Sequence, residues 1–140
     1  MVKITKLLSD KTRGIQIKSS RDYISLSRKG LSFRQLKEIL KYTKLSMKQI
    51  GRMISVSERQ LARYKDEKIL KRDASAHLIQ IVELYKKGYD VLENDDNFQI
   101  WMNSEIRSLG FQKPIDLLDT PFGIEEVKNI LGRLEHGVYS

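Results

Sequence analysis

Residues 45–65, LSMKQIGRMISVSERQLARYK, constrain the fold more than any other stretch of this chain. Apolar residues fall at Ile50, Met53 and Ile54. The rhythm resumes at Val56, Leu61 and Tyr64 after a break too short for a loop. The spacing predicts two short helices meeting at Ser55 and Val56. Gly51 stands where two crossing helices need a small residue to let their backbones approach. Ser57 precedes Glu58, Arg59 and Gln60 as an N-cap, because its hydroxyl accepts from a free backbone N–H at a helix start. This is a helix-turn-helix pattern, in which the second helix enters the DNA major groove. Its outer face carries Glu58, Arg59, Gln60 and Arg63, and Arg and Gln suit bidentate reading of guanine and adenine edges. With Lys48 on the first helix and Ser57 at the cap, these six form the candidate DNA-binding set. Ser55 replaces the glycine common in such turns, and a left-handed backbone costs a residue with a side chain about 1 kcal/mol. Ordinary packed helix pairs share much of this pattern, so charge has to decide.

The formal charge of +8 hides a division. Residues 1–72 hold 20 Lys/Arg against 6 Asp/Glu, and residues 73–140 hold 6 against 12. A basic half built around a helix-turn-helix is the electrostatic footprint expected for a polyanion. A membrane surface fits less well, because the basic half lacks a long helix with an unbroken apolar face. No run of 18 apolar residues exists and the N-terminus lacks a signal-peptide core, so the expected location is the cytoplasm. The absence of cysteine excludes disulfides and thiolate metal sites. His77 and His136 have no cluster of ligands around them, and no cofactor is expected.

The expected fold is all-α: a helix-turn-helix bundle followed by a small helical domain, with a poorly patterned N-terminal arm. Residues 1–30 are rich in Ser, Thr and Tyr and read as short strands or an irregular arm, with Ile15 and Ile17 alternating with polar residues. Residues 31–93 form the helix-turn-helix domain. There Ser32 caps a helix to about Tyr42, Ser46 opens the next, and Ile69 and Leu70 re-enter the core after the motif. Ser75 or Asp73 caps a long helix carrying Leu78, Ile81, Val82, Tyr85, Tyr89 and Leu92. Asn94, Asp95, Asp96 and Asn97 mark a boundary. Their two carboxylates lack a third ligand nearby and read as a hinge that caps the following helix. In residues 94–140 a helix is expected over 98–109, ended by Gly110, and Pro114 opens a short one. Residues 119–123 read as a loop. A last helix starts near Ile124, with Glu125 and Glu126 in its first turn, and stops at Gly137.

Trp101, Leu109 and Gly110, residues 114–118 (PIDLL), Thr120, Gly123, Val127, Leu131 and the closing GVYS of residues 137–140 resemble the toxin-binding domain of Xre/MbcA/ParS-type antitoxins. The resemblance spans residues 98–140, and the helix-turn-helix ahead of it is an arrangement of the same family. It implies a homodimeric antitoxin that neutralises a RES-domain toxin acting on NAD, and that binds double-stranded DNA at its own promoter. It further implies toxin contacts at Trp101, Pro114, Arg133, His136, Gly137, Val138, Tyr139 and Ser140, with the chain end against the toxin's NAD pocket. Physics alone reads Trp101 first as a core residue, and Gly123 and Gly137 as backbone devices. A stand-alone repressor with a dimerising or sensing second half is the rival reading. Enzymatic activity finds no support: the chain has no phosphate-cradling glycine loop, no nucleophile with a paired base and no metal cluster.

Overall fold

The computed structural model describes residues 4–10, 13, 16–19 and 21–137. Among these the chain forms α1 (Ile4–Leu8), α2 (Asp22–Lys29), α3 (Phe33–Thr43), α4 (Met47–Ile54), α5 (Glu58–Arg63), α6 (Arg72–Val91), α7 (Asp95–Met102) and α8 (Pro121–Glu135). Two short 3-10 turns, Arg107–Leu109 and Pro114–Leu117, lie between α7 and α8. The only β geometry among the described residues is a pair of isolated bridges, so the architecture is all-α as expected. Two compact units divide at Met1–Val82 and Glu83–Ser140, within α6 and ahead of the boundary expected at Asn94.

The N-terminal stretch corrects the expectation of strands or an irregular arm. It supplies α1 and α2, and Leu7, Leu8, Ile17 and Leu26 are buried in the first unit. Burial of an apolar face overrides a weak β preference. Both ends of the α2 region are tied by side chains. The Asp22 carboxylate accepts from the N–H groups of Lys18 (2.7 Å) and Ser19 (3.1 Å), and these bonds hold its pKa below the usual aspartate value. The Arg13 guanidinium donates to the carbonyls of Gly30 (2.7 Å) and Lys29 (2.9 Å), which α2 leaves open at its end. Ile15 lies outside the described residues.

Every early N–H of α3 is accounted for, as a buried helix start requires. Ser32 N–H donates to the Gln35 side-chain oxygen, and Gln35 N–H donates back to the Ser32 hydroxyl. Phe33 N–H and Arg34 N–H donate to the carbonyls of Lys68 (2.8 Å) and Asp66 (3.1 Å). The strap after α5 is thereby bonded to the start of α3. Gln35 also donates to the Leu8 carbonyl at 2.9 Å, joining α1 to the same point. Leu70 enters the core as expected, but Ile69 stays about a third exposed, at 37%. Ser75 caps nothing: it lies inside α6, fully buried, and its hydroxyl accepts from Leu31 N–H at 2.9 Å.

In the second unit two helix boundaries differ from expectation. The helix expected over 98–109 stops at Met102. Asn103 Nδ2 donates to the Gln99 carbonyl (2.8 Å) and the Ser104 hydroxyl to that of Ile100 (2.6 Å). Short polar side chains here take the carbonyls that a continuing helix would use. The last helix begins earlier than expected, with Pro121 in its first turn and Thr120 as N-cap accepting from Gly123 N–H. Glu125 and Glu126 therefore lie beyond the first turn, and the dipole argument does not apply to them. Asn94 does cap the next helix, accepting from Asp96 N–H (2.7 Å) and Asn97 N–H (3.1 Å).

Candidate nucleic-acid and partner interfaces

The helices α4 and α5 form the expected motif. Ile50, Met53, Ile54 and Leu61 are buried on its inner side. A Cβ on Gly51 would lie 2.5 Å from the Val56 carbonyl and 3.2 Å from Leu61, so only glycine allows this crossing. The turn is left-handed at Ser55 (φ 60°, ψ 40°), the strained conformation expected there. Val56 N–H closes the turn on the Gly51 carbonyl at 2.9 Å.

Lys48, Glu58, Arg59 and Arg63 are exposed on this motif. Gln60 is exposed too, but its carboxamide oxygen accepts from Ser57 N–H at 3.2 Å while its own N–H donates to the Ser57 hydroxyl at 3.1 Å. Ser57 and Gln60 are thus reciprocal caps of α5, and bidentate adenine reading by Gln60 would have to share the oxygen that already accepts from Ser57. A repeated signal announces the arrangement. The chain carries Ser-x-x-Gln at Ser32/Gln35, Ser46/Gln49 and Ser57/Gln60, and all three close as capping boxes.

The acids near α5 are tied to α3. Asp66 pairs with Lys37 and lies 3.7 Å from Arg34, and Glu67 lies 3.6 Å from Arg34. The Lys37 hydrogen bond, ahead of the other charges, holds the Asp66 pKa below its usual value. The Tyr64 ring meets Phe33 edge-on at 5.9 Å between centroids, and Lys68 lies over its face at 5.3 Å. These contacts hold both ends of the post-α5 segment and occupy its carboxylates with cations. The outer side of α4 and α5 keeps Lys48, Arg52, Arg59 and Arg63 exposed.

In the second unit the residues implied as toxin contacts fall into different environments. Trp101 is half-buried and stacks on Phe98, with 6.0 Å between centroids and 20° between planes. Pro114 is buried at the start of its 3-10 turn. Arg133, His136 and Gly137 are exposed at the end of α8, and Gly137 is left-handed (φ 73°). Val138, Tyr139 and Ser140 lie outside the described residues. Two exposed aromatics escaped the sequence reading. Phe122, in the first turn of α8, is 86% exposed, and Phe111 is 62% exposed with φ 64°. A left-handed aromatic is a backbone outlier that no local pattern announces.

Close fit shapes this unit's interior. A Cβ on Gly88 would lie 2.0 Å from the Phe98 ring, and one on Gly123 would lie 1.7 Å from the Leu117 carbonyl oxygen. Phe98 meets Tyr85 and Tyr89 edge-on at 5.1 and 5.5 Å. Burial pushes the Tyr89 phenol up to about 12 and raises Tyr85 further. The Tyr85 hydroxyl is buried with no hydrogen-bond partner among the described residues. Those residues hold no group of His, Cys, Asp or Glu able to bind a metal ion, and no helix long and apolar enough to cross a membrane.

Two family models match the chain. The antitoxin Xre-like helix-turn-helix domain covers residues 22–83, and the antitoxin Xre/MbcA/ParS C-terminal toxin-binding domain covers residues 87–137. Proteins named Antitoxin Xre from Photorhabdus laumondii subsp. laumondii and Yersinia enterocolitica serotype O:8 are each 36% identical over 69 residues. That match covers 49% of this chain and 47% of either relative, about half the length of each. A chain of the crystal structure of the M. tuberculosis MbcT-MbcA toxin-antitoxin complex aligns with a TM-score of 0.57 and 21% identity, over 75% of this chain and 94% of that one. At that identity the likeness speaks for the fold. With both family domains following one another in a single polypeptide, the chain belongs to the Xre/MbcA/ParS-type antitoxins.

Proposed function

We propose that this antitoxin neutralises a RES-domain, NAD-degrading toxin by binding it and occluding its active site, and that it represses its own operon through α4 and α5. The observation that carries the reading is the pairing of a strongly basic helix-turn-helix unit with a toxin-binding domain in one chain. In the DNA role, Lys48 and the other exposed cations contact phosphates while α5 faces base edges. A homodimer presents two copies of α5 to two half-sites. In the toxin role, Trp101, Arg133, His136, Gly137, Val138, Tyr139 and Ser140 lie on or beside the contact surface. Pro114 shapes that surface from within. The protein works in the cytoplasm and performs no chemistry of its own.

Co-expression with the neighbouring gene tests the reading. The full-length protein should restore growth, co-purify with the neighbour's product, and block its consumption of NAD. Unrelieved toxicity, or a neighbour that leaves NAD untouched, overturns it. A chain ending at Gly137 should inhibit less completely while binding DNA as before. Identical inhibition would move the occlusion from the chain end to the body of the domain.

A further inference from the structure

The capping geometry decides which side chains of α5 remain to read DNA. Leu61 is fully buried and marks the inner side of this helix. At about 100° per residue, Arg59 and Arg63 both lie roughly 160° from Leu61, on either side of the outermost line. Glu58 and Ala62 flank them on one side. On the other side Gln60 has its carboxamide oxygen bound to Ser57 N–H at 3.2 Å. Among the described residues neither Arg59 nor Arg63 has an ion-pair partner. One helical turn separates them, about 6 Å along the axis. Successive base pairs are about 3.4 Å apart, so two such side chains reach neighbouring base pairs or pairs with one between them. Arginine's fork matches the O6 and N7 acceptors of guanine, which no other base presents together.

We infer that Arg59 and Arg63 read two guanines, adjacent or one base pair apart, in each half of the operator, and that Gln60 reads no base. The inference rests on α5 facing the major groove, and it adds which bases are read and by which residues. The specificity device is therefore an arginine pair carried on a helix whose cap turns its glutamine back towards Ser57.

The test selects full-length protein on a randomised duplex library and then measures binding to the enriched site. The enriched half-site should contain the guanine pair. Replacing either guanine by 7-deazaguanine, which lacks the N7 acceptor, should weaken wild-type binding by about 5- to 150-fold. The Arg59→Lys variant should show weakened preference at one guanine and Arg63→Lys at the other, because lysine can donate to O6 and N7 but lacks the planar fork that fits both at once. Affinity for unrelated duplexes should change little, because lysine keeps the charge. The Gln60→Ala variant should melt earlier yet select the same site. An enriched site without the guanine pair, guanine preference undiminished in both lysine variants, or a changed site for Gln60→Ala overturns the inference while leaving DNA reading intact. Failure to enrich any sequence removes DNA reading itself, and this inference with it.

Discussion

The two units set their helix boundaries by different means. In Met1–Val82, three successive helices begin with the same reciprocal Ser-x-x-Gln box, each complete within four residues. In Glu83–Ser140 the helices begin at one-sided caps, Asn94 and Thr120, and the approaches to the backbone at Gly88 and Gly123 (2.0 and 1.7 Å for an added Cβ) are tighter than those at Gly30 and Gly51 in the first unit (2.6 and 2.5 Å). The first kind of instruction is local and repeated, so losing one copy leaves the others intact. The second is carried by single atoms of space, so one methyl group can disturb a whole packing arrangement.

The largest expected effect is therefore a methyl added to the second unit. Gly123→Ala drives a Cβ to 1.7 Å from the Leu117 carbonyl oxygen, a backbone atom that cannot rotate away. Overpacking typically costs 1–3 kcal/mol, and this contact should cost roughly 3 kcal/mol or more. Gly88→Ala meets the buried Phe98 ring at 2.0 Å and should also destabilise, despite the ~1 kcal/mol that alanine gains as a helix former. Urea denaturation measures both. Near-neutral variants would mean that the second unit yields as easily as a surface loop, and the contrast would collapse.

Removing a cap in the first unit should cost less. Ser32→Ala loses the hydroxyl that accepts from Gln35 N–H and should cost about 1 kcal/mol, within the usual 0.5–2. Ser57→Ala should fall lower in that range, because its surroundings are exposed and water can replace the bond. A Ser57 effect equal to that of Gly123→Ala would show that the cap at α5 carries more than local structure.

This difference explains what could be read in advance. Gly51, the strain at Ser55 and the caps Ser32, Ser46 and Ser57 were legible, because each follows from residues within a few positions of one another. The cap at Gln60 is also written locally, since Gln35, Gln49 and Gln60 all stand at the same offset from a serine. The second unit hid more. Its helix stops at Met102 because Asn103 and Ser104 turn back on the preceding carbonyls, while an apolar rhythm through Ile106 and Leu109 suggested continuation. Nothing local revealed that Ser75 would bond Leu31 across the first unit, or that Pro114 would be buried while Phe111 and Phe122 stayed out.

Two buried hydroxyls sharpen the comparison at smaller scale. Ser75 accepts from Leu31 N–H, so Ser75→Ala leaves a buried donor unpaired and should cost about 1–3 kcal/mol. Tyr85 has no partner for its hydroxyl among the described residues, so Tyr85→Phe should leave stability unchanged or raise it by up to about 1 kcal/mol. The aromatic packing with Phe98 at 5.1 Å is kept in that variant. A clear loss on Tyr85→Phe would reveal a bonded hydroxyl.

The smallest effect, and the one with opposite signs in the two units, is titration. Asp66 in the first unit is held below its usual pKa chiefly by the Lys37 hydrogen bond, so the unfolded chain takes up a proton more readily than the folded one. Its stabilising contribution is present above the ordinary aspartate pKa and is lost as pH falls through the lowered value. Glu83 in the second unit is raised by burial, with Lys128 opposing the shift. Here the folded chain takes up the proton more readily, so its ionised form weakens the fold near neutrality. That penalty fades as pH falls through the raised value. Asp66→Asn should therefore lower stability at neutral pH, and Glu83→Gln should raise it. Both differences should shrink between neutral pH and a pH below the ordinary aspartate value. That of Glu83 shrinks first, as pH falls through its raised value, and that of Asp66 later, through its lowered one. The Asp66 effect should also weaken in salt, since its ion pair stands open to solvent, while that of Glu83 should persist because it comes from burial. Paired denaturation curves at the two pH values and at low and high salt resolve the signs. If both variants shift stability in the same direction at neutral pH, one of the two environments has been misread, and the salt dependence identifies which.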